Sequence, residues 1–170
     1  LPGSDEAGIK DNAYTNIMVV WLLERSLKLL EDLPPKALST VRNRIGLTDA
    51  EIDKWREMIT KLNVVMTEDG IISQFDGYMD LKELDWESYR KRFYSIHRMD
   101  RILKAEGDSP DNYKVAKQAD VLMTWYILEP DEVVRILRQL GYEVDDAIEL
   151  LRRNYDYYEQ RTSHGSTLSK

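Results

Sequence analysis

An all-α fold is the architecture that this sequence predicts, on three observations. Apolar residues recur every three or four positions in successive segments, which is the spacing of one helix face. Proline, glycine and helix-capping residues separate these segments at short intervals, as expected for helices arranged in antiparallel pairs. Only residues 63–78 depart clearly from helical spacing, so we expect one short β-hairpin insertion near residues 63–76.

The composition is that of a soluble globular protein with one domain. The chain has 170 residues, 42% hydrophobic and 32% charged, which is enough to bury a core. Its net charge of −7 opposes nucleic acid and anionic membranes, so we expect neither as a partner. Cysteine is absent, which excludes disulfides and thiolate chemistry and fits a reducing compartment. No apolar run approaches the roughly 20 residues of a bilayer span, and we expect a cytoplasmic protein.

The first helix follows a polar loop over residues 1–10. Asp11 or Asn12 can cap it, because a side-chain oxygen there accepts from the first free backbone N–H groups. The run from Ile17 to Leu23 is apolar nearly all round. This pattern predicts a helix buried on most of its circumference, as in the inner ring of a helical barrel.

Two further helices are predicted before residue 63. Pro34-Pro35 ends the first helix, and a short basic helix then closes at Gly46. Thr48 and Glu51 have the spacing of a capping box, which predicts that a third helix opens there and runs to Leu62.

Residues 63–76 have the pattern of a β-hairpin. Two short apolar runs, Val64–Met66 and Ile71–Ile72, flank the turn residues Asp69-Gly70. The segment ends in Phe75-Asp76-Gly77-Tyr78, where aromatic rings could stack on a sugar and Asp76 could bond to its hydroxyls. Aspartate before glycine is also a common turn residue, so the pattern alone leaves the turn interpretation of Asp76 open.

The second half of the chain is predicted to hold short helical pieces followed by three longer helices. Amphipathic pieces occupy residues 79–110, with a connection from Ser95 to Met99 and a short helix beginning at Ile102. The longer helices are predicted over Tyr113 to Leu128, Pro130 to Leu140, and about Asp145 to Tyr157.

A polar run lies in the first of these longer helices. Lys117-Gln118-Ala119-Asp120 stands beside a strongly apolar stretch. Such a run can face a cavity or form a solvated first turn, and both interpretations stay open. The two histidines, His97 and His164, have no metal-ligand spacing, so no metal site is predicted.

The stretch from Arg161 to Ser169 collects several hydroxyl side chains together with His164 and Gly165. Hydroxyl donors, an imidazole and a glycine that lets the backbone approach a ligand are suited to binding an oxyanion. On composition alone, a polar chain terminus without function is the simpler interpretation.

Five motifs, in order and at similar spacing, resemble glycoside hydrolase family 65, which includes trehalose, maltose and kojibiose phosphorylases. They are Asp11-Asn12-Ala13-Tyr14-Thr15-Asn16, Gln74-Phe75-Asp76-Gly77-Tyr78, Asp100-Arg101-Ile102-Leu103, Lys117-Gln118-Ala119-Asp120-Val121-Leu122-Met123 and Thr162-Ser163-His164-Gly165-Ser166-Thr167-Leu168-Ser169. Together they cover nearly the whole chain. The last motif, with Gly165 after His164, is most similar to trehalose-acting members.

The resemblance implies a fold and a reaction. Residues 1–170 are expected to be a fragment, roughly half, of an (α/α)6-barrel catalytic domain. Inorganic phosphate would attack the anomeric carbon of trehalose, kojibiose or maltose with inversion, giving β-glucose 1-phosphate and glucose. A glutamic acid would protonate the departing oxygen. Because phosphate is itself an anionic nucleophile, the resemblance implies no catalytic base; phosphate is a co-substrate, and no cofactor is expected.

The resemblance also assigns roles to individual residues and partners. Lys117 and Gln118 match the pair that binds the donor glucose, and Asp76 is expected as a further sugar ligand. The phosphate-binding segment is matched by His164, Gly165, Ser166 and Thr167. The complete enzyme is expected to form a homodimer, and the open barrel face of the fragment is expected to allow self-association.

One departure from the family concerns the general acid. In the family it lies in a Gly-Pro-Asp-Glu motif, whereas Asp5-Glu6 lacks that context and its spacing from Asn12. We therefore expect the acid upstream of Leu1, no catalytic residue in this chain, and no activity from the fragment alone.

Two other functions are considered. The first is hydrolysis of the same disaccharides by a trehalase-like member of the family. The second is a small helical interaction module, because Leu140-Gly141-Tyr142 between two amphipathic helices loosely resembles a ubiquitin-associated domain.

Overall fold

The computed structural model describes residues 8–163 and shows eight α-helices in that range. They are α1 (Ala13–Asp32), α2 (Pro35–Ile45), α3 (Asp49–Lys61), α4 (Trp86–Arg92), α5 (Met99–Ala105), α6 (Asp120–Ile127), α7 (Pro130–Gln139) and α8 (Ala147–Glu159). Two 3-10 turns lie at Tyr78–Asp80 and Pro110–Asn112. Residues 8–163 contain isolated β-bridges but no strand longer than one residue, which confirms the predicted all-α fold.

The capping residues of the first three helices are where the sequence places them. The Asn12 side chain caps α1 by accepting from the backbone N–H of Thr15 at 2.9 Å. Gly46 ends α2 in the left-handed conformation, with a φ of 68°. Thr48 and Glu51 form a reciprocal capping box at the start of α3. These local predictions are confirmed.

Helix α1 forms the centre of the main core. It packs against α3, α6 and α7, and its Ile17 and Val20 are fully buried among apolar side chains of those neighbours. The opposite side carries Leu22 and Leu29, which are 56% and 60% exposed. Within the run Ile17–Leu23 only Leu22 is exposed, so this part of α1 is covered on most of its circumference, whereas Leu29 lies beyond that run.

Residues 63–76 form a tight loop in place of the expected hairpin. A single antiparallel bridge joins Met66 and Ile72. The backbone N–H of Ile72 donates to Asn154 Oδ1 at 2.9 Å, and the Tyr158 hydroxyl donates to the Ile72 carbonyl at 2.6 Å. On either side of this bridge the Thr67 N–H donates to the Ile71 carbonyl at 2.9 Å and the Ser73 N–H donates to the Val65 carbonyl at 2.8 Å. The pairing goes no further, because the carbonyls of Asn63 and Phe75 accept from Asn16 Nδ2 and the Ser73 hydroxyl.

The helix predicted from Tyr113 begins later, at Asp120. Tyr113 and Ala116 lie in single parallel bridges to Lys82 and Thr162. The Ala116 N–H donates to the Arg161 carbonyl at 2.9 Å. The prediction of a helix over residues 113–119 was wrong because this backbone bonds to distant segments of the chain.

A second, smaller core supports α4 and α5. Its buried members are Leu84, Tyr89, Met99 and Leu103, and Tyr113 and Val115 pack against it. This cluster fixes the segment that begins at His97 beside residues 113–117. No helix within the described range, 8–163, combines the length and apolar character that a bilayer span needs.

Candidate functional site

A cleft of about 250 Å³ opens between the start of α5, the connection before α6 and the end of the described chain. Its polar lining comprises His97, Arg98, Asp100, Asp111, Lys117 and Ser163. The cleft thus brings together Lys117, predicted to bind sugar, and Ser163, which directly precedes the predicted phosphate segment.

Ser163 connects the two walls of this cleft. Its hydroxyl donates to the Ile96 carbonyl at 2.7 Å, and its backbone N–H donates to the Ala116 carbonyl at 2.8 Å. Ile96 directly precedes His97 and Ala116 directly precedes Lys117. Ser163 therefore links the two walls of the cleft by hydrogen bonds.

Arg161 anchors the chain just before Ser163. Its guanidinium donates two hydrogen bonds to the Glu83 carboxylate, each at 3.1 Å, and lies 3.8 Å from the centre of the Tyr157 ring. Lys114 approaches the same carboxylate at 3.3 Å. Burial alone would raise the pKa of Glu83, but the hydrogen bonds and charges of Arg161 and Lys114 outweigh it and lower that pKa.

Arg98 and Asp100 form a two-point ion pair inside the cleft. Arg98 Nε donates to Oδ1 at 2.9 Å and Nη2 donates to Oδ2 at 2.7 Å. The hydrogen bonds from Arg98, opposed by partial burial, lower the pKa of Asp100 to about 2. Asp100 is therefore ionised at neutral pH, orients the guanidinium and is unsuited to donate a proton.

Lys117 and Gln118 lie in a bend between the bridge at Ala116 and the start of α6, and both are exposed. Lys117 lines the cleft, whereas Gln118 is not among the residues that line it. Their exposure leaves both side chains accessible to a ligand. Their assignment to the donor sugar remains a prediction.

Asp76 lies away from this cleft, beside the N-terminal end of α1. Its carboxylate accepts from Lys10 Nζ at 3.0 Å, and its backbone N–H donates to the Lys10 carbonyl at 3.0 Å. Gly77 follows with a φ of 88°, so the residue also lies in a turn. Its role as a sugar ligand stays a prediction.

Asp120 ends the Lys117–Asp120 polar run and is not among the residues that line the cleft. It begins α6, and burial raises the pKa of its carboxyl, an effect that the Asn12 side chain partly offsets.

The predicted phosphate ligands His164, Gly165, Ser166 and Thr167 lie outside the described residues, as do Asp5 and Glu6. Among residues 8–163, no three His, Cys, Asp or Glu side chains group closely enough to hold a metal ion.

Comparison with known proteins gives consistent matches along the whole chain. Residues 2–170 match the family described as the glycosyl hydrolase family 65 central catalytic domain. The chain is 46% identical over 168 residues to an uncharacterised glycosyl hydrolase of Mycobacterium tuberculosis H37Rv, covering 99% of this chain and 12% of that protein.

Two relatives have named activities. The chain is 41% identical over 169 residues to the trehalose 6-phosphate phosphorylase of Lactococcus lactis, and 35% identical over 174 residues to the kojibiose phosphorylase of Halothermothrix orenii. These alignments cover 99% and 98% of this chain and 20% of each relative. The chain thus spans about a fifth or less of the length of these proteins.

Proposed function

The chain belongs to glycosyl hydrolase family 65, and from this membership we propose that it supplies sugar-binding and phosphate-binding groups to an inverting disaccharide phosphorylase. The observation that supports this proposal most directly is the cleft. There Lys117, assigned to the donor sugar, adjoins Ser163, from which the segment assigned to phosphate continues. Phosphorolysis requires these two ligands side by side, since phosphate attacks the anomeric carbon of the bound sugar.

Trehalose and its 6-phosphate are the substrates that we propose first. The form of the 162–169 motif resembles trehalose-acting members. The identity to a trehalose 6-phosphate phosphorylase, 41%, exceeds the 35% and 28% to a kojibiose phosphorylase and a maltose phosphorylase. The product in each case is β-glucose 1-phosphate, with glucose or glucose 6-phosphate as the departing sugar.

The proton donor is proposed on sequence grounds. The family match begins at residue 2 and includes Gly3-Ser4-Asp5-Glu6, which differs from Gly-Pro-Asp-Glu only at Ser4. The acid expected upstream of Leu1 and Glu6 are therefore the two candidates that we propose to test. In the complete enzyme, Glu6→Gln should lower kcat by about 10²–10⁴-fold if Glu6 is the acid, and should leave kcat nearly unchanged if the acid lies upstream. A fully active Glu6→Gln enzyme would show that Glu6 is not the general acid.

The isolated 170-residue chain is proposed to be inactive. It spans 20% of the two named phosphorylases, and the cleft is lined by exposed side chains that the rest of a larger domain would have to enclose. Release of glucose 1-phosphate from trehalose, maltose or kojibiose by the purified chain would contradict this proposal.

Product analysis of the complete enzyme separates phosphorolysis from hydrolysis. With trehalose or trehalose 6-phosphate and inorganic phosphate, we expect β-glucose 1-phosphate, whereas a hydrolase releases free glucose independently of phosphate. His164→Ala and Ser166→Ala should raise the KM for phosphate about ten- to a hundredfold, and much more than the KM for the disaccharide. Equal increases in the KM for phosphate and for the disaccharide would contradict the assignment of residues 164–167 to the phosphate site.

The helical interaction module receives little support from the packing. The Tyr142 hydroxyl donates to the Val64 carbonyl, and Leu140 and Tyr142 pack against the main core. The loop that resembled a recognition surface is thus part of the internal packing between α7, α8 and residues 64–66.

A further inference from the structure

Two backbone bridges hold the segment that leads into Lys117. Tyr113 forms a parallel bridge to Lys82, and Ala116 forms one to Thr162. Each bridge is a single residue wide, and such isolated pairing has little stability of its own. Side chains therefore have to keep these segments in register.

The Glu83 carboxylate joins these segments by side-chain contacts. It accepts two hydrogen bonds from the Arg161 guanidinium, each 3.1 Å long, and lies 3.3 Å from Lys114 Nζ. Arg161 directly precedes the bridging residue Thr162, and Lys114 lies between the two bridges in the sequence. Among residues 8–163, no other carboxylate pairs with either cation.

Both cations depend on this carboxylate because they are largely shielded from water. The side chains of Arg161 and Lys114 are 18% and 16% exposed. Removing the acidic member of such a pair leaves shielded charges without a counter-charge, which destabilises their surroundings. Arg161 also donates to the Tyr157 carbonyl at 2.9 Å, which ties it to α8. Loss of the Glu83 charge should therefore loosen the connection between α8 and residues 112–116.

The position of Lys117 depends on this connection. Lys117 is exposed and lines the cleft, whereas Ala116 before it is buried. The Ala116 N–H donates to the Arg161 carbonyl at 2.9 Å, and the Ala116 carbonyl accepts from the Ser163 N–H at 2.8 Å. Lys117 is thus held at the cleft by the bridge that its neighbour makes. A displacement of about 1 Å in a group that binds substrate can lower the rate about a hundredfold.

We propose that Glu83 is a positioning residue for Lys117 and acts through Arg161 and Lys114. Glu83 is not among the residues that line the cleft, so its effect on the bound sugar is indirect. The inference rests on the proposed function, because that function assigns Lys117 to the donor sugar.

A double-mutant cycle in the complete enzyme tests this role. The readout is kcat/KM for disappearance of trehalose or trehalose 6-phosphate, so it applies to phosphorolysis and to hydrolysis. Glu83→Gln should lower kcat/KM about three- to thirtyfold in the wild-type background, but less than about twofold in the Lys117→Ala background. The second loss is smaller because the side chain to be positioned is already missing.

Glu87→Gln is the matched control for this cycle. Glu87 also pairs with a cation, Lys91, but both side chains are exposed on α4. Its replacement should leave kcat/KM unchanged in both backgrounds.

Hydrogen exchange of the complete enzyme gives a readout that needs no activity. The amides of Ala116 and Ser163 are the donors of the bridge beside Lys117. Glu83→Gln should speed their exchange at least about threefold, because exchange follows local opening, and Glu87→Gln should not change it. Unchanged exchange in Glu83→Gln would overturn the role of Glu83 in holding this bridge.

The kinetic outcomes separate the inference from the proposed function. Equal losses from Glu83→Gln in both backgrounds would overturn the positioning role, because a general loss of folded structure does not depend on Lys117. An unimpaired Glu83→Gln enzyme beside an impaired Lys117→Ala enzyme would overturn it too. If Lys117→Ala keeps the wild-type kcat/KM, the sugar-binding assignment itself fails and the inference fails with it.

Arg161→Lys decides the matter if Glu83→Gln does not fold. Lysine keeps the charge opposite Glu83 but loses the planar fork that makes two hydrogen bonds. We expect kcat/KM to fall at least about threefold in the wild-type background and less than about twofold in the Lys117→Ala background. No fall in the wild-type background would overturn the inference.

Discussion

Lys117 is the residue on which the sugar-binding proposal depends most. Its motif predicted the role, and the structure places it at the cleft, exposed and beside the bridge at Ala116. The conformation of this residue could not be predicted, because the hydrogen bond that prevents a helix there goes from Ala116 to Arg161, far away in the sequence. The place of Ser163 between the two walls of the cleft could not be predicted for the same reason, since it depends on the hydrogen bond from Ser163 to Ile96.

Replacement of Lys117 or Gln118 by alanine tests the sugar site. In the complete enzyme, each variant should lower kcat/KM for every accepted donor sugar roughly five- to 150-fold, which corresponds to a loss of about 1–3 kcal/mol in transition-state stabilisation, because sugar hydroxyls lose a partner. Lys104→Ala, at the exposed end of α5, is the control and should retain wild-type kinetics. Unchanged kcat/KM in both variants would mean that Lys117 and Gln118 form a solvated bend and do not bind the sugar.

Asn154 anchors the 63–76 loop to α8 through hydrogen bonds. It is fully buried on α8, accepts from the Ile72 N–H, and donates to the carbonyls of Gly70 and Leu150, each bond being 2.9 Å. Asn154→Ala leaves the loop groups buried and unpaired, so the free energy of unfolding should fall by about 1–3 kcal/mol. Denaturant unfolding measures this loss. Arg152→Ala, on the exposed face of the same helix, should cost less than ~0.5 kcal/mol, and a similar loss in both variants would contradict the role of Asn154.

Helix boundaries differ in how far they depend on local sequence. The start of α1, the end of α2 and the capping box of α3 were predicted because each is fixed by residues within four positions of it. The loop at 63–76 and the segment 113–119 could not be predicted. In the loop the Asn16 side chain takes the Asn63 carbonyl that a longer strand pair would need, and the segment 113–119 bonds to residues 161–163. These partners, distant in the sequence, override the local pattern.

Gly46 tests how strongly one residue ends a helix. Its φ of 68° disfavours residues with a side chain, and a Cβ built there would have no atom within 4 Å. The cost of Gly46→Ala is therefore backbone strain alone, about 1–2 kcal/mol in the free energy of unfolding. Gly46→Asn should cost less, because asparagine tolerates this conformation better. Equal losses for both variants would mean that a contact other than backbone strain sets the cost.

Two features connect distant parts of the chain. Helix α1 packs against α3, α6 and α7 in the main core, and ion pairs link segments that are far apart in the sequence. Arg135 bonds to Glu24 across α7 and α1, and Arg161 bonds to Glu83 beside the candidate site. Burial raises the pKa of Asp120, but partners lower the pKa of most other shifted carboxyls, including Glu83, Asp100 and Glu132. Acid should therefore weaken the fold and the site together.

The sign of this pH dependence follows from linkage. A carboxyl with a lowered pKa in the folded state adds stability that is present above its ordinary pKa, 4.5 for Glu83 and 3.8 for Asp100, and is lost as the pH falls through the folded-state value. Because the pKa of Asp100 is lowered to about 2, the loss should extend from about pH 4.5 down to about pH 2. The thermal midpoint of the chain should fall across this range.

Glu83→Gln isolates the contribution of the pairs with Arg161 and Lys114. Glutamine keeps the shape of the side chain but not its charge, so the difference in midpoint temperature between wild type and variant should be larger at pH 7 than at pH 2.5. The reason is that the stabilisation from the lowered pKa of Glu83 decreases once the pH falls below the ordinary value of 4.5. Glu87→Gln is the matched control, because Glu87 makes an exposed i,i+4 pair with Lys91 on α4, a kind of pair that contributes only ~0.3–0.5 kcal/mol. A Glu83→Gln difference that does not change with pH would show that the side chain stabilises the chain through packing and not through its charge.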